Sequence, residues 1–116
     1  MTMRIRQGDT FAFEQQLVWD DNTPIDLTDA RKVDFIMCLD DEETPTVDAP
    51  AVIDNIHKTD GYVTYQFKEG DTDEVGMYKI LFRITWSDGS VMTVPNMGWM
   101  WLWIMSNPGW VGSGGP

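Results

Sequence analysis

The chain has 116 residues, enough for one domain around a single core. Lys plus Arg number 8 against 19 for Asp plus Glu, a formal net charge of -11, which opposes both the counterion-displacing contacts behind nucleic-acid affinity and adsorption to anionic lipid. A hydrophobic fraction of 42% excludes wholesale disorder, and the lone Cys38 excludes an intrachain disulfide.

From the start, "MTMRIRQGD" offers no apolar h-region, so no secretory signal is expected. Phe11, Phe13, Leu17 and Trp19 open a period of two. In "KVDFIMCL", Val33, Phe35, Met37 and Leu39 alternate with Asp34, Ile36 and Cys38. Val47, Ala49, Ala51 and Ile53 repeat the pattern less cleanly, and Val63, Tyr65 and Phe67 repeat it in "YVTYQF". In "YKILFRITW", Tyr78, Ile80, Phe82, Ile84 and Trp86 share one face, with Lys79, Leu81, Arg83 and Thr85 on the other. A sheet with one buried face produces this alternation. Turn signals separate the runs: "WDDNTP", "LDDEETP", "KTDG", "KEGDTDEVG" and "SDGS". About seven short strands at this spacing predict an all-β fold, an immunoglobulin-like antiparallel β-sandwich over residues 1–105, followed by a C-terminal arm or tail over 106–116. Gly76 two residues before Tyr78 fits the corner at which a tyrosine hydroxyl ties back to upstream backbone; Tyr78 as a plain core aromatic fits equally.

The last strand, within "GWMWLWIMSNPGW", carries most of the functional signal. Asp88-Gly89 as a two-residue type I′ turn pairs Trp86 with Val91, Ile84 with Thr93 and Tyr78 with Trp99, turning Trp99, Trp101 and Trp103 inward. A bulge at Pro95-Asn96 reverses that parity and exposes them. Met100, Leu102 and Ile104 form an equally apolar alternate row, so the strand calls for cover on both sides. The apolar run from Trp99 to Met105 falls far short of the roughly 20 residues of a membrane helix. No membrane partner is expected.

Catalytic machinery is not evident. His57 is the sole histidine, and no nucleophile is paired with a base. Cys38 reads as a small apolar strand residue. The acidic groups Asp20-Asp21-Asn22, Asp40-Asp41-Glu42-Glu43 and Asp71-Thr72-Asp73-Glu74 match no calcium loop and read as solvated loop charge. "VGSGGP" precedes no helix and makes no phosphate cradle. No enzyme activity, cofactor or metal is expected. Two binding readings remain for the tryptophans: a surface for another protein, favoured by their Met, Leu and Ile neighbours, and a stacking platform of a carbohydrate-binding module.

The order of "IRQGDTF", "DDNTPIDLTDARKVDFIM", "DGYVTYQFKEGDTDEVGMYKILFRIT" and "SDGSVMTVPNMGWMWLWI" resembles small immunoglobulin-like domains of tailed-bacteriophage virions, above all the N-terminal domain of phage baseplate upper proteins. The matching positions are Pro24-Ile25-Asp26-Leu27-Thr28, then Gly61, Val63 and Tyr65, then Asp71, Thr72, Gly76 and Tyr78. The resemblance spans about residues 4–105 and implies a non-enzymatic structural subunit of the virion, assembled in the host cytoplasm and joined to other virion proteins, with self-association a further option. The chain ends soon after the sandwich, which favours a small accessory, cement or adaptor role in tail, baseplate or head over a baseplate scaffold. The expected interface residues are Trp99, Met100, Trp101, Leu102, Trp103 and Trp110.

Overall fold

The computed structural model describes residues 2–95 and 100–110. Eight strands follow in order: β1 (Thr2–Arg6), β2 (Ala12–Gln16), β3 (Ala30–Leu39), β4 (Val47–Ile53), β5 (Tyr62–Gln66), β6 (Gly76–Trp86), β7 (Val91–Val94) and β8 (Met100–Met105). A single 3-10 turn, Lys58–Asp60, is the helical element among the described residues. The protein is all-β. Its strands run β1-β8-β6-β3-β4-β5-β2 in one path, with β7 beside β6. β4 turns this path into two layers by changing partners midway: Val47 to Ala51 pair with β3, then Val52 and Ile53 pair with β5.

The layers meet through inward rows of alternate residues. Phe35 of β3 stacks on Tyr65 of β5 at 4.1 Å between centroids and meets Phe13, Phe67 and Phe82 edge-on. Strands β2 and β5 are not neighbours of β3, so the contacts of Phe35 with Phe13, Tyr65 and Phe67 hold sheet against sheet, while that with Phe82 runs along one sheet. Offset and edge-on rings add about 0.5–1.5 kcal/mol per pair beyond the area they bury. Both buried phenols keep a partner: Tyr78 Oη donates to the Glu74 carbonyl at 2.8 Å and Tyr65 Oη to Asp71 at 2.6 Å. Tyr78 is therefore a core aromatic and a corner tie at once. Burial pushes both upward, Tyr78 to about 12, so each remains a neutral donor at physiological pH.

Three features depart from the expected pattern. The final hairpin closes through a three-residue loop, Ser87 to Gly89, with Trp86 N donating to the Ser90 carbonyl and Gly89 N to that of Trp86. A type I′ turn needs positive φ at both central residues; here Gly89 alone supplies it, at φ 89°, while Asp88 instead accepts the Ser90 N–H and hydroxyl. Thr85 therefore faces Val91, Ile84 faces Met92 and Phe82 faces Val94, a slip of one residue that reverses the parity of the whole returning strand. The second departure is the break between β7 and β8: on β6 only Leu81 separates the two paired stretches, against five residues, 95–99, on the other side. The excess is even and preserves parity, so Tyr78 meets Leu102 and Gly76 meets Ile104. Third, β1 is a strand and pairs with β8 in parallel, Met3 beside Leu102 and Ile5 beside Ile104, so the sheet is mixed.

Leu102 and Ile104 are consequently core residues, fully buried, and Leu102 is withdrawn from the expected interface. Trp103 faces outward, 41% exposed, and Trp101 shares its side of the strand. The pairing of Tyr78 with Trp99 is replaced by Tyr78 with Leu102; Trp99 and Asn96 lie outside the described residues.

This parity predicts opposite costs along one strand. Leu102→Ala should lower unfolding free energy by about 2–5 kcal/mol. Trp103→Ala should cost about 1 kcal/mol or less, the scale of an exposed cross-strand pair. Urea denaturation followed by circular dichroism reads both, and a reversed order would mean that the strand sits one residue away from the register described.

Candidate functional site

Cross-strand register builds the outer face of β1, β8, β6 and β3 in rows. In the first, Arg4 lies beside Trp103, Trp103 beside Met77, and Asp40 N donates to the Met77 carbonyl. The Arg4 guanidinium sits over the Trp103 ring, 5.7 Å from its centroid. The second row is Trp101, Lys79 and Cys38. Leu81, Ile36 and Asp48 make the third, and Arg83, Asp34 and Pro50 the fourth. Met77 is 36% exposed, so Trp103 and Met77 form an apolar step at the solvent boundary.

Polar groups on this face are held firmly. Arg83 bonds Asp48 at 2.8 Å and the buried Asp34 at 3.1 Å; both carboxylates, Asp48 foremost, raise its already high affinity for a proton. The turn after β3 folds over the sheet, and the Glu42 carbonyl accepts from Lys79 Nζ at 3.1 Å and Cys38 Sγ at 3.2 Å. Burial pushes the Cys38 thiol up, which disfavours its thiolate form. Of the chain's 8 basic residues, Arg4, Arg6, Lys32, Lys79 and Arg83 are on this face, Arg4 against Trp103 and Lys32 and Arg83 paired with its carboxylates.

The expected interface residues separate into three groups. Trp101 and Trp103 are together on the outer face. Met100 points the other way and lines, with Met3, Phe13, Glu14, Gln15 and Ile80, a cavity of about 260 Å³, which the half-buried Trp101 also borders. Trp110 belongs to neither place. Residues 106–110 fold back onto their own chain, Asn107 donating through its N and Nδ2 to the Gln7 side-chain and backbone oxygens, and the Trp110 indole lies against Gly8, whose missing Cβ leaves the room it occupies. Half-buried in this way, Trp110 makes a contact within the domain and lies apart from the outer face; 111–116 are outside the described residues. Arg4, Met77 and Asp40 were missed by sequence reasoning. The alternation of Met3 and Ile5 with Arg4 and Arg6 was a usable signal for the strand that carries the first of them.

The remaining candidates for chemistry resolve into turn structure. Asp21, Asp26 and Asp88 each accept the hydroxyl and N–H of the residue two ahead, Thr23, Thr28 and Ser90. Asp54 accepts from His57 Nδ1 at 3.0 Å and from Ile56 N. Among the described residues no three His, Cys, Asp or Glu side chains converge to hold a metal ion, and every buried side-chain nitrogen or oxygen has a hydrogen-bond partner. No helix of the described residues is long and apolar enough to cross a membrane. Comparison of the sequence with protein-family models and with curated proteins returns no match.

The turn aspartates predict an acid limb of stability. Their hydrogen bonds, from the Thr23, Thr28 and Ser90 hydroxyls first and from His57 for Asp54, hold them below the ordinary value of 3.8. The stability they confer is present above that value and lost as pH falls through the lower folded values. His57 runs the other way: the Asp54 hydrogen bond raises it above 6.5, and its contribution is full below 6.5 and lost as pH climbs through the folded value. Changing Asp21, Asp26 and Asp88 together to Asn should flatten the fall of Tm between about pH 4 and about pH 2. An unchanged slope would remove these turns from the acid response.

Proposed function

We propose that the chain is a non-enzymatic structural subunit of a tailed-bacteriophage virion, a small accessory or adaptor that adheres to neighbouring subunits through the outer face of β8. The observation that carries this reading is the outward parity of Trp101 and Trp103 beside Met77 on an otherwise satisfied domain. Hydrophobic residues held at a surface without unmet polar groups fit protein contact better than substrate chemistry, and interface cores favour Trp, Met and Arg. At about 25 cal/mol per Å² and roughly 150–250 Å² for an aromatic side chain, two tryptophans supply several kcal/mol before the costs of association. Repetition of the contact on a symmetric particle multiplies modest affinity into firm attachment. The phage assignment is supported by the ordered sequence resemblance alone.

The test is incorporation into particles. A chain carrying Trp101→Ala and Trp103→Ala, folded by circular dichroism, should be depleted from purified particles of the encoding phage by about tenfold or more, the effect of losing some 1.4 kcal/mol of contact energy. A chain with Asp20 and Asp21 changed to Asn should incorporate normally. Equal incorporation of the folded tryptophan variant would contradict the proposal, and retention of the wild-type chain on a polysaccharide resin, lost with the same substitutions, would replace it with the carbohydrate-binding reading.

A further inference from the structure

The outer face is polarised, and its polarity is self-complementary. Lys32, Lys79 and Arg83, on β3 and β6, are engaged by Asp34, the Glu42 carbonyl and Asp48; the other cations of the face, Arg4 and Arg6, project from alternate positions at the β1 edge. Carboxylates stand toward the opposite edge: Asp40 ends the Arg4 row, and Asp48 ends the Leu81 row. Asp41, Glu42 and Glu43 extend that acidic edge in the exposed turn after β3. Between the two edges lie Trp103, Met77, Trp101 and Leu81, with Lys79 and Arg83 among them on β6.

From this arrangement we infer that the subunit seated on the outer face is a second copy of the chain, related by a two-fold axis running along the strands between β8 and β6. This rests on the reading of that face as the adhesive one. A rotation of 180° about such an axis keeps each row at its own height and exchanges its ends. The row Arg4, Trp103, Met77, Asp40 then meets itself reversed: Arg4 stands over Asp40 of the second copy, and Trp103 stands over its Met77. Isologous interfaces require this kind of self-complementarity, in which each residue contacts the other member of its pair twice. Thioether on indole is a favourable contact, and the Arg4 guanidinium, already stacked on Trp103, would remain over the ring while reaching the opposing carboxylate. A uniformly basic or uniformly acidic face would repel its own copy.

Charge reversal with mixing tests the geometry. Sedimentation equilibrium of the wild-type chain should show a concentration-dependent monomer–dimer equilibrium. Arg4→Glu and Asp40→Arg each place like charges at both ends of the row and should weaken the dimer by about tenfold or more. An equimolar mixture of the two variants restores both opposite-charge pairs in the heterodimer and should associate with affinity near wild type. Arg4 and Asp40 are both exposed, and circular dichroism of each variant confirms folding. A wild-type chain that stays monomeric at all concentrations, or variants that fail to rescue each other on mixing, would overturn the second copy as partner. A monomeric chain whose particle incorporation still depends on Trp101 and Trp103 would leave the adhesive face standing with a different protein on it. Loss of both dependences would remove the adhesive face as well.

Discussion

One parity governs this molecule: which alternate residues of β8 point inward. It is decided at a distance, by the three-residue loop Ser87 to Gly89. Because Gly89 alone takes a left-handed φ and Asp88 is occupied by Ser90, the returning strand pairs Ile84 with Met92 rather than with Thr93. The break at 95–99 carries an even excess and hands the same parity to β8. Leu102 and Ile104 enter the core as a result, and Trp101 and Trp103 stay outside. The whole outer face inherits this choice.

The core tolerates such a display because it is complete without the tryptophans. Phe35 sits at the centre of an aromatic group drawn from β2, β3, β5 and β6, and β1 covers the edge of β8 through Met3 and Ile5. The Tyr78 and Tyr65 hydroxyls anchor the segments between β5 and β6 to that core. With interior polar groups satisfied, Trp103 and Met77 have no structural task that would draw them inward.

Much of the fold was legible in the sequence. The alternations around Phe35, Val63, Tyr65 and Phe82 define inward rows, and the structure buries those residues. Turn chemistry was legible in kind but not in length. Asp88-Gly89 marks a hairpin correctly, yet a carboxylate that hydrogen-bonds Ser90 lengthens the loop by one residue, and one residue is enough to exchange the two faces. β1 escaped notice because a five-residue strand pairing in parallel with a strand about 100 positions away leaves no local turn signal. The site was half legible. Trp101 and Trp103 were identified, but Leu102, Met100 and Trp110 could be sorted from them only through register and through the close approach of Trp110 to Gly8. Asp40 and Met77 become part of the face by position across the sheet, which no sequence spacing records.

The outer face and the partner assigned to it stand or fall with the register of β8. The most direct measurement is the set of cross-strand nuclear Overhauser contacts between backbone protons of β6 and β8 in the isotopically labelled protein. Tyr78 should show contacts with Leu102, and Met77 with Trp103. Contacts of Tyr78 with Trp101 or Trp103 instead would turn the tryptophans into the core and contradict that register.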